Sequence, residues 1–152
     1  MDSMTYEMLE PIIREKLSMG GSVIIKPKGP SMMPLIRQGI DEVELSPLPS
    51  GRLKKYDIPF YKRKNGQFVL HRIVGVKKDG YVLCGDNQNE LEFGITEDMI
   101  LAVVTRINRD GEFFDVSDKQ YLKYCKKLVG NKTKQRVILK IKRIIKKILF
   151  IK

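Results

Sequence analysis

Residues 57–84 read DIPFYKRKNGQFVLHRIVGVKKDGYVLC. Two turn signals punctuate this stretch, Asn65-Gly66 and Asp79-Gly80, and both are dipeptides that favour tight hairpins. Between and around them lie short runs rich in β-branched and aromatic residues: Asp57–Tyr61, Phe68–Val74 and Tyr81–Cys84. Such runs read as strands. Pro59 cannot donate to a ladder, so the first run is expected at a sheet edge. Downstream, Ile100–Ile107 is a further apolar run, and Asp110-Gly111 turns it into Glu112–Val116.

Upstream, Ser22–Lys26 (SVIIK) and Glu42–Leu45 (EVEL) read as strands. Leu35–Gly39 reads as a turn, and Ser46–Lys55 as a Pro/Gly/Ser-bearing loop. Residues 5–19 carry Leu9, Ile12, Ile13 and Leu17 at helical spacing, and Met19-Gly20-Gly21 stops the helix. Pro11 is tolerated best in a first turn, so the regular part is expected to begin near it. Many short strands joined by tight turns behind one helix predict a mainly β (α+β) domain.

The net charge of +11 is not spread evenly. From Lys119 onward there are 13 Lys and Arg and no Asp or Glu, leaving a net of −2 for residues 1–118. The chain therefore divides into a near-neutral body, 1–118, and a basic helical tail, 119–152. Gly130-Asn131 is expected to break that tail after a helix over 119–129. Residues 137–152 read VILKIKRIIKKILFIK. Val137, Ile141, Ile144, Ile145 and Ile148 share one helical face, and the cations fall largely elsewhere. Cations in mid-stretch argue against spanning a bilayer, so an in-plane helix on an anionic membrane surface is expected. The same segment also suits a solvated helix packed on the domain or on a protein partner. Nucleic acid is not the expected partner, because no aromatic stacking pattern accompanies the charge. Cys84 and Cys125 make no metal or redox spacing, and the polar start Met1-Asp2-Ser3-Met4 is no signal peptide. These features predict a cytoplasmic protein with peripheral attachment to the inner face of the membrane.

Three short motifs carry chemistry. Lys28-Gly29-Pro30-Ser31-Met32-Met33-Pro34-Leu35 presents one serine between rigid backbone elements. A serine hydroxyl needs an adjacent base to become a nucleophile. His71 is the single histidine. A lone histidine in a strand is most often a satisfied core residue; the sharper reading makes it a candidate base. Gly85-Asp86-Asn87 reads as a turn, or as the carboxylate that orients an imidazole.

Taken together, Gly-x-Ser-Met-x-Pro, a strand bearing His-Arg-Ile-Val and then Gly-Asp-Asn resemble the signal peptidase / LexA-like serine peptidase superfamily. The resemblance runs from about Val23 to Ile107. A histidine at position 71, where bacterial relatives place a lysine, is the pattern of the endoplasmic-reticulum and archaeal signal peptidases. The resemblance implies a signal-peptidase/LexA-like β fold and a serine endopeptidase. Ser31 would be the nucleophile, His71 the base and Asp86 the orienting acid, with no metal or cofactor. It places oxyanion and substrate contacts at Ser31, Met32 and Met33, and Glu92 is the nearest match for a second acid. The substrate would be a peptide or protein. Gly29 stands where many relatives have a polar donor, and Pro30 has no N–H to give. A catalytically idle peptide-binding module, or an autoproteolytic LexA-like regulator, is the alternative within the same group.

Overall fold

The computed structural model describes residues 5–149. It is an α+β protein whose sheets are antiparallel throughout the described residues.

The N-terminal helix, α1 (Tyr6–Ser18), buries Ile13 and Leu17 against the larger sheet. It starts at Tyr6, a turn earlier than the proline suggested, and Pro11 lies inside it. Gly20, at φ +76°, takes the left-handed conformation that ends the helix, and its N–H bonds to Leu17 O at 3.0 Å.

Eight of the nine strands overlap runs assigned from the sequence, and five of them run one to three residues past those runs. They are β1 (Val23–Ile25), β2 (Glu42–Ser46), β3 (Pro59–Lys62), β4 (Phe68–Leu70), β5 (Arg72–Lys77), β6 (Gly80–Cys84), β8 (Ile100–Arg109) and β9 (Glu112–Asp115). The ninth, β7 (Glu92–Ile95), carries no alternating pattern and has Gly94 in it, so it was not expected as a strand. The larger sheet runs β1-β2-β8-β3-β4, with β9 also on β8. The smaller sheet runs β5-β6-β7.

Two expectations about the strands need correction. β3 is not an edge: it lies between β8 and β4. Pro59 is accommodated because it is the first residue of the strand, where a missing N–H is tolerated. The run Phe68–Val74 is not one strand. β4 ends at Leu70 in one sheet and β5 begins at Arg72 in the other, so His71 alone bridges the two.

The C-terminal helix, α2 (Lys119–Leu149), is continuous over 31 residues. The break expected at Gly130-Asn131 is absent. A mid-helix glycine costs only about 1 kcal/mol, and contacts on both sides of Gly130 offset that. Before it, Tyr121, Cys125 and Val129 are buried, the first two in the main core cluster. After it, Lys132 donates to Gly85 O, and Arg136 donates to Asn89 O. The first half of the basic segment is thus part of the body's packing. Residues 150–152 of the expected amphipathic stretch lie outside the described residues.

Because nothing lies within 4 Å of a Cβ built on Gly130, Gly130→Ala is expected to raise stability by about 0.5–1 kcal/mol in chemical denaturation. A helix broken at this position would instead be destabilised by the same change.

Candidate functional site

Ser31 sits in a short 3-10 turn, Pro30–Met32, entered through Gly29 at φ +121°, a conformation open to glycine alone. The segment is anchored on both sides. Met32, Leu35 and Ile36 are buried in the core. Asn87 N–H donates to Ser31 O at 2.8 Å. A Cβ on Gly85 would fall 2.7 Å from that same oxygen, so the Gly85-Asp86-Asn87 turn approaches the serine segment as only a glycine permits. Downstream, Arg109 donates to the carbonyls of Pro34 and Leu35. Ser31 is half-buried, and no hydrogen bond joins its hydroxyl to His71 among the described residues.

Ser31 and His71 line one pocket of about 250 Å³, together with Gly29, Met32, Arg63 and Gln88. A second pocket of about 610 Å³ adjoins it and shares Tyr6, Lys28, Gln67 and Phe68. Its walls include Ile24 and Ile25 of β1 and Phe68 of β4. β1 and β4 stand at opposite ends of the larger sheet's strand order, and both border this groove. Met32 reaches the first pocket from the core. Met33 does not line it, and its N–H is taken by Pro30 O at 3.1 Å.

His71 is buried, 4% exposed. Its Nδ1 lies 3.3 Å from Glu92 Oε2 and 3.3 Å from the Tyr61 hydroxyl. Tyr61 gives its own proton to Glu92 Oε2 at 2.7 Å, so both neighbours of Nδ1 present acceptors. The network therefore assigns the imidazole proton to Nδ1 and leaves Nε2 with a free lone pair. Glu92 is itself clamped by Arg63 through two bonds of 2.6 Å. Burial lowers the His71 pKa below its ordinary value; Glu92 opposes this and Arg63 reinforces it. Burial alone would raise the Glu92 pKa, but Arg63 and Tyr61 hold it below the usual carboxylate range. The site thus pairs a neutral imidazole with an ionised carboxylate near pH 7.

Asp86 does not hold the imidazole. Both of its oxygens are occupied by Arg72, at 2.8 Å and 2.7 Å, and both side chains are 1% exposed. Arg72 sits opposite Cys84, the last residue of β6, and the turn that follows brings Asp86 to it. Arg72 Nη1 also donates to Tyr121 Oη at 2.6 Å and lies 2.9 Å from Cys125 Sγ, both on α2. The residue in contact with His71 is Glu92, the acid carried over as second in the sequence.

Tyr61 and Arg63 were not singled out from the sequence. The available signal was their spacing: two residues apart at the end of a strand, they share a face, and that face meets Glu92. Among the described residues no group of His, Cys, Asp and Glu is placed to hold a metal ion. Set against models of known families, curated proteins and solved structures, the chain matches none.

Removing one member of a buried ion pair costs about 3–5 kcal/mol. Asp86→Ala is therefore expected to destabilise the fold by that amount in urea denaturation, and Glu92→Gln by clearly less.

Proposed function

We propose that this chain is a serine endopeptidase of the signal-peptidase-like group, with Ser31 as nucleophile, His71 as general base and Glu92 in contact with the base. The observation that carries this reading is the shared pocket of Ser31 and His71, together with a network that leaves His71 Nε2 unprotonated. Asp86, expected as the orienter, is replaced in that role by Glu92, and Asp86 acts through Arg72 to hold the turn beneath Ser31.

In this mechanism Ser31 Oγ attacks the carbonyl carbon of the scissile bond and its proton passes to His71 Nε2. The imidazolium, facing Glu92, hands that proton to the departing amine nitrogen as the C–N bond breaks. Water, deprotonated by the same imidazole, then releases the acyl group. The Ser31 N–H is the natural donor to the oxyanion, since Pro30 has none. The substrate is an extended peptide lying in the groove bordered by β1 and β4, where unpaired backbone edges favour main-chain pairing.

A second reading, a peptide-binding module without catalysis, draws on the missing Ser31–His71 hydrogen bond. Catalytic hydrogen bonds often tighten only with substrate present, so the same geometry is compatible with an enzyme.

The test is cleavage of a mixed peptide pool followed by mass spectrometry. Ser31→Ala is expected to reduce cleavage to background, and His71→Ala to lower the rate by about 10²–10⁴-fold, with both variants folded. Wild-type cleavage by Ser31→Ala protein would remove the peptidase reading. No cleavage by the native chain, with peptides still retained, would favour the module.

The pH dependence follows from the imidazole. Only neutral His71 accepts a proton, and its pKa is lowered, so the rate is expected to fall with acid through a midpoint below about 6.5. Glu92→Gln removes the group that raises this pKa and leaves Arg63 uncompensated, so the midpoint is expected to move lower still. A midpoint that moves up would count against Glu92 as the partner of His71.

A further inference from the structure

The distal half of α2 projects a face that nothing in the described body covers. From Val137 to Ile145 the apolar side chains Val137, Ile138, Leu139, Ile141, Ile144 and Ile145 are each about half exposed, 49–52%. At 3.6 residues per turn, Val137, Ile138, Ile141, Ile144 and Ile145 fall within an arc of about 120°. Lys140, Lys142, Arg143, Lys146 and Lys147 occupy the remainder, with Lys140 and Lys142 on the two borders of the apolar arc. Leu139 is the one apolar residue on the cationic side. There is no acidic residue anywhere in α2.

The rotational phase of this face is fixed by the proximal half. Tyr121, Cys125 and Val129 are buried in the body, and Lys132 and Arg136 donate to the carbonyls of Gly85 and Asn89. These five residues fall within an arc of about 80°, and the apolar arc is centred about 160° from it. The apolar face therefore points directly away from the body, while the cations share the body's side.

We infer that residues 137–147 lie in the plane of an anionic lipid bilayer, apolar face inward, with the body held on the aqueous side. The occupant is chosen by charge and geometry. A nucleic acid would neutralise the cations and leave the apolar arc in water. A bilayer surface satisfies both at once, because border lysines reach lipid phosphates while the isoleucines enter the acyl boundary. Among the described residues no helix is long and apolar enough to cross a membrane, so the contact is peripheral. Lys132 and Arg136 bond to the 85–89 loop, and Gln88 of that loop lines the Ser31 pocket. The bilayer-bound rod is thus attached to one wall of the candidate site.

The experiment is flotation of the full chain with phosphatidylcholine vesicles, with and without phosphatidylglycerol. Flotation with the anionic vesicles, weaker by about tenfold or more with neutral ones, is the expected result. The double variant Ile141→Asp/Ile145→Asp, whose helix content is checked by circular dichroism, is expected to stay at the bottom of the gradient. Orientation is read from an environment-sensitive fluorophore on Ile144→Cys or Arg143→Cys, both native cysteines being buried. Lipid-borne quenchers are expected to reach the first label and not the second. Absence of flotation, flotation undiminished in the double variant, or the reverse quenching pattern would each overturn the inference. So would retention on single-stranded nucleic acid in place of vesicles. The inference does not rest on the peptidase reading: Ser31→Ala chain is expected to float like the native one.

Discussion

Arg72 carries a full positive charge into a region that water does not reach. Leaving such a charge without a partner would cost several kcal/mol, so its surroundings are strongly constrained. Asp86 meets it with a two-point carboxylate contact, and the Tyr56 carbonyl lies 3.1 Å from Nη1. The rings of Tyr121 and Tyr124 lie against the guanidinium at 5.4 Å and 5.9 Å. These partners come from the 54–57 turn, the end of β6 and the first turns of α2. One side chain therefore joins the smaller sheet, the turn under the serine segment and the C-terminal helix. The position of Ser31 follows, since the turn that contains Asp86 also supplies the N–H of Asn87 to Ser31 O.

Two acids near the imidazole differ in their partners and in their exposure. Asp86 is sealed from water and spends both oxygens on a guanidinium. Glu92 is 21% exposed, faces the imidazole edge and is held by one arginine and one phenol. The first arrangement suits a permanent ion pair. In the second, Arg63 likewise bonds both oxygens, but Oε2 still faces His71 Nδ1 at 3.3 Å beside a partly exposed edge. Environment, more than residue type, separates the two acids here.

Much of this was legible in the sequence. Asp110-Gly111 forms the two-residue loop between β8 and β9, with φ of +55° and +91°, the left-handed pair that such dipeptides favour. Asn65-Gly66 also marks a hairpin, although the tight turn is Arg63–Gly66, centred on Lys64-Asn65, and Gly66 closes it in the left-handed conformation. Ser31 and His71 were identifiable as residue types suited to one reaction, and they do line one pocket. What the sequence hid was set by long-range contacts. Whether Phe68–Val74 stays in one sheet depends on where Arg72 finds its counter-charge. Whether Pro59 is an edge residue depends on how far β3 extends before it. Whether Gly130 ends a helix depends on carbonyls at 85 and 89, far away along the chain. The choice between Asp86 and Glu92 depended on which distant side chains meet each acid, and a short strand with Gly94 in it left no periodic trace.

The change of sheet at His71 has a mechanical consequence. The imidazole rides on the residue at which the chain leaves the larger sheet for the smaller one, so where the ring stands depends on how the two sheets are set against each other. The next side chain along the backbone is the fully buried Arg72, paired with Asp86 in the turn that donates to Ser31 O. The ring thus hangs from a joint that its neighbour locks, and the same pin fixes the serine segment through the turn at 85–87.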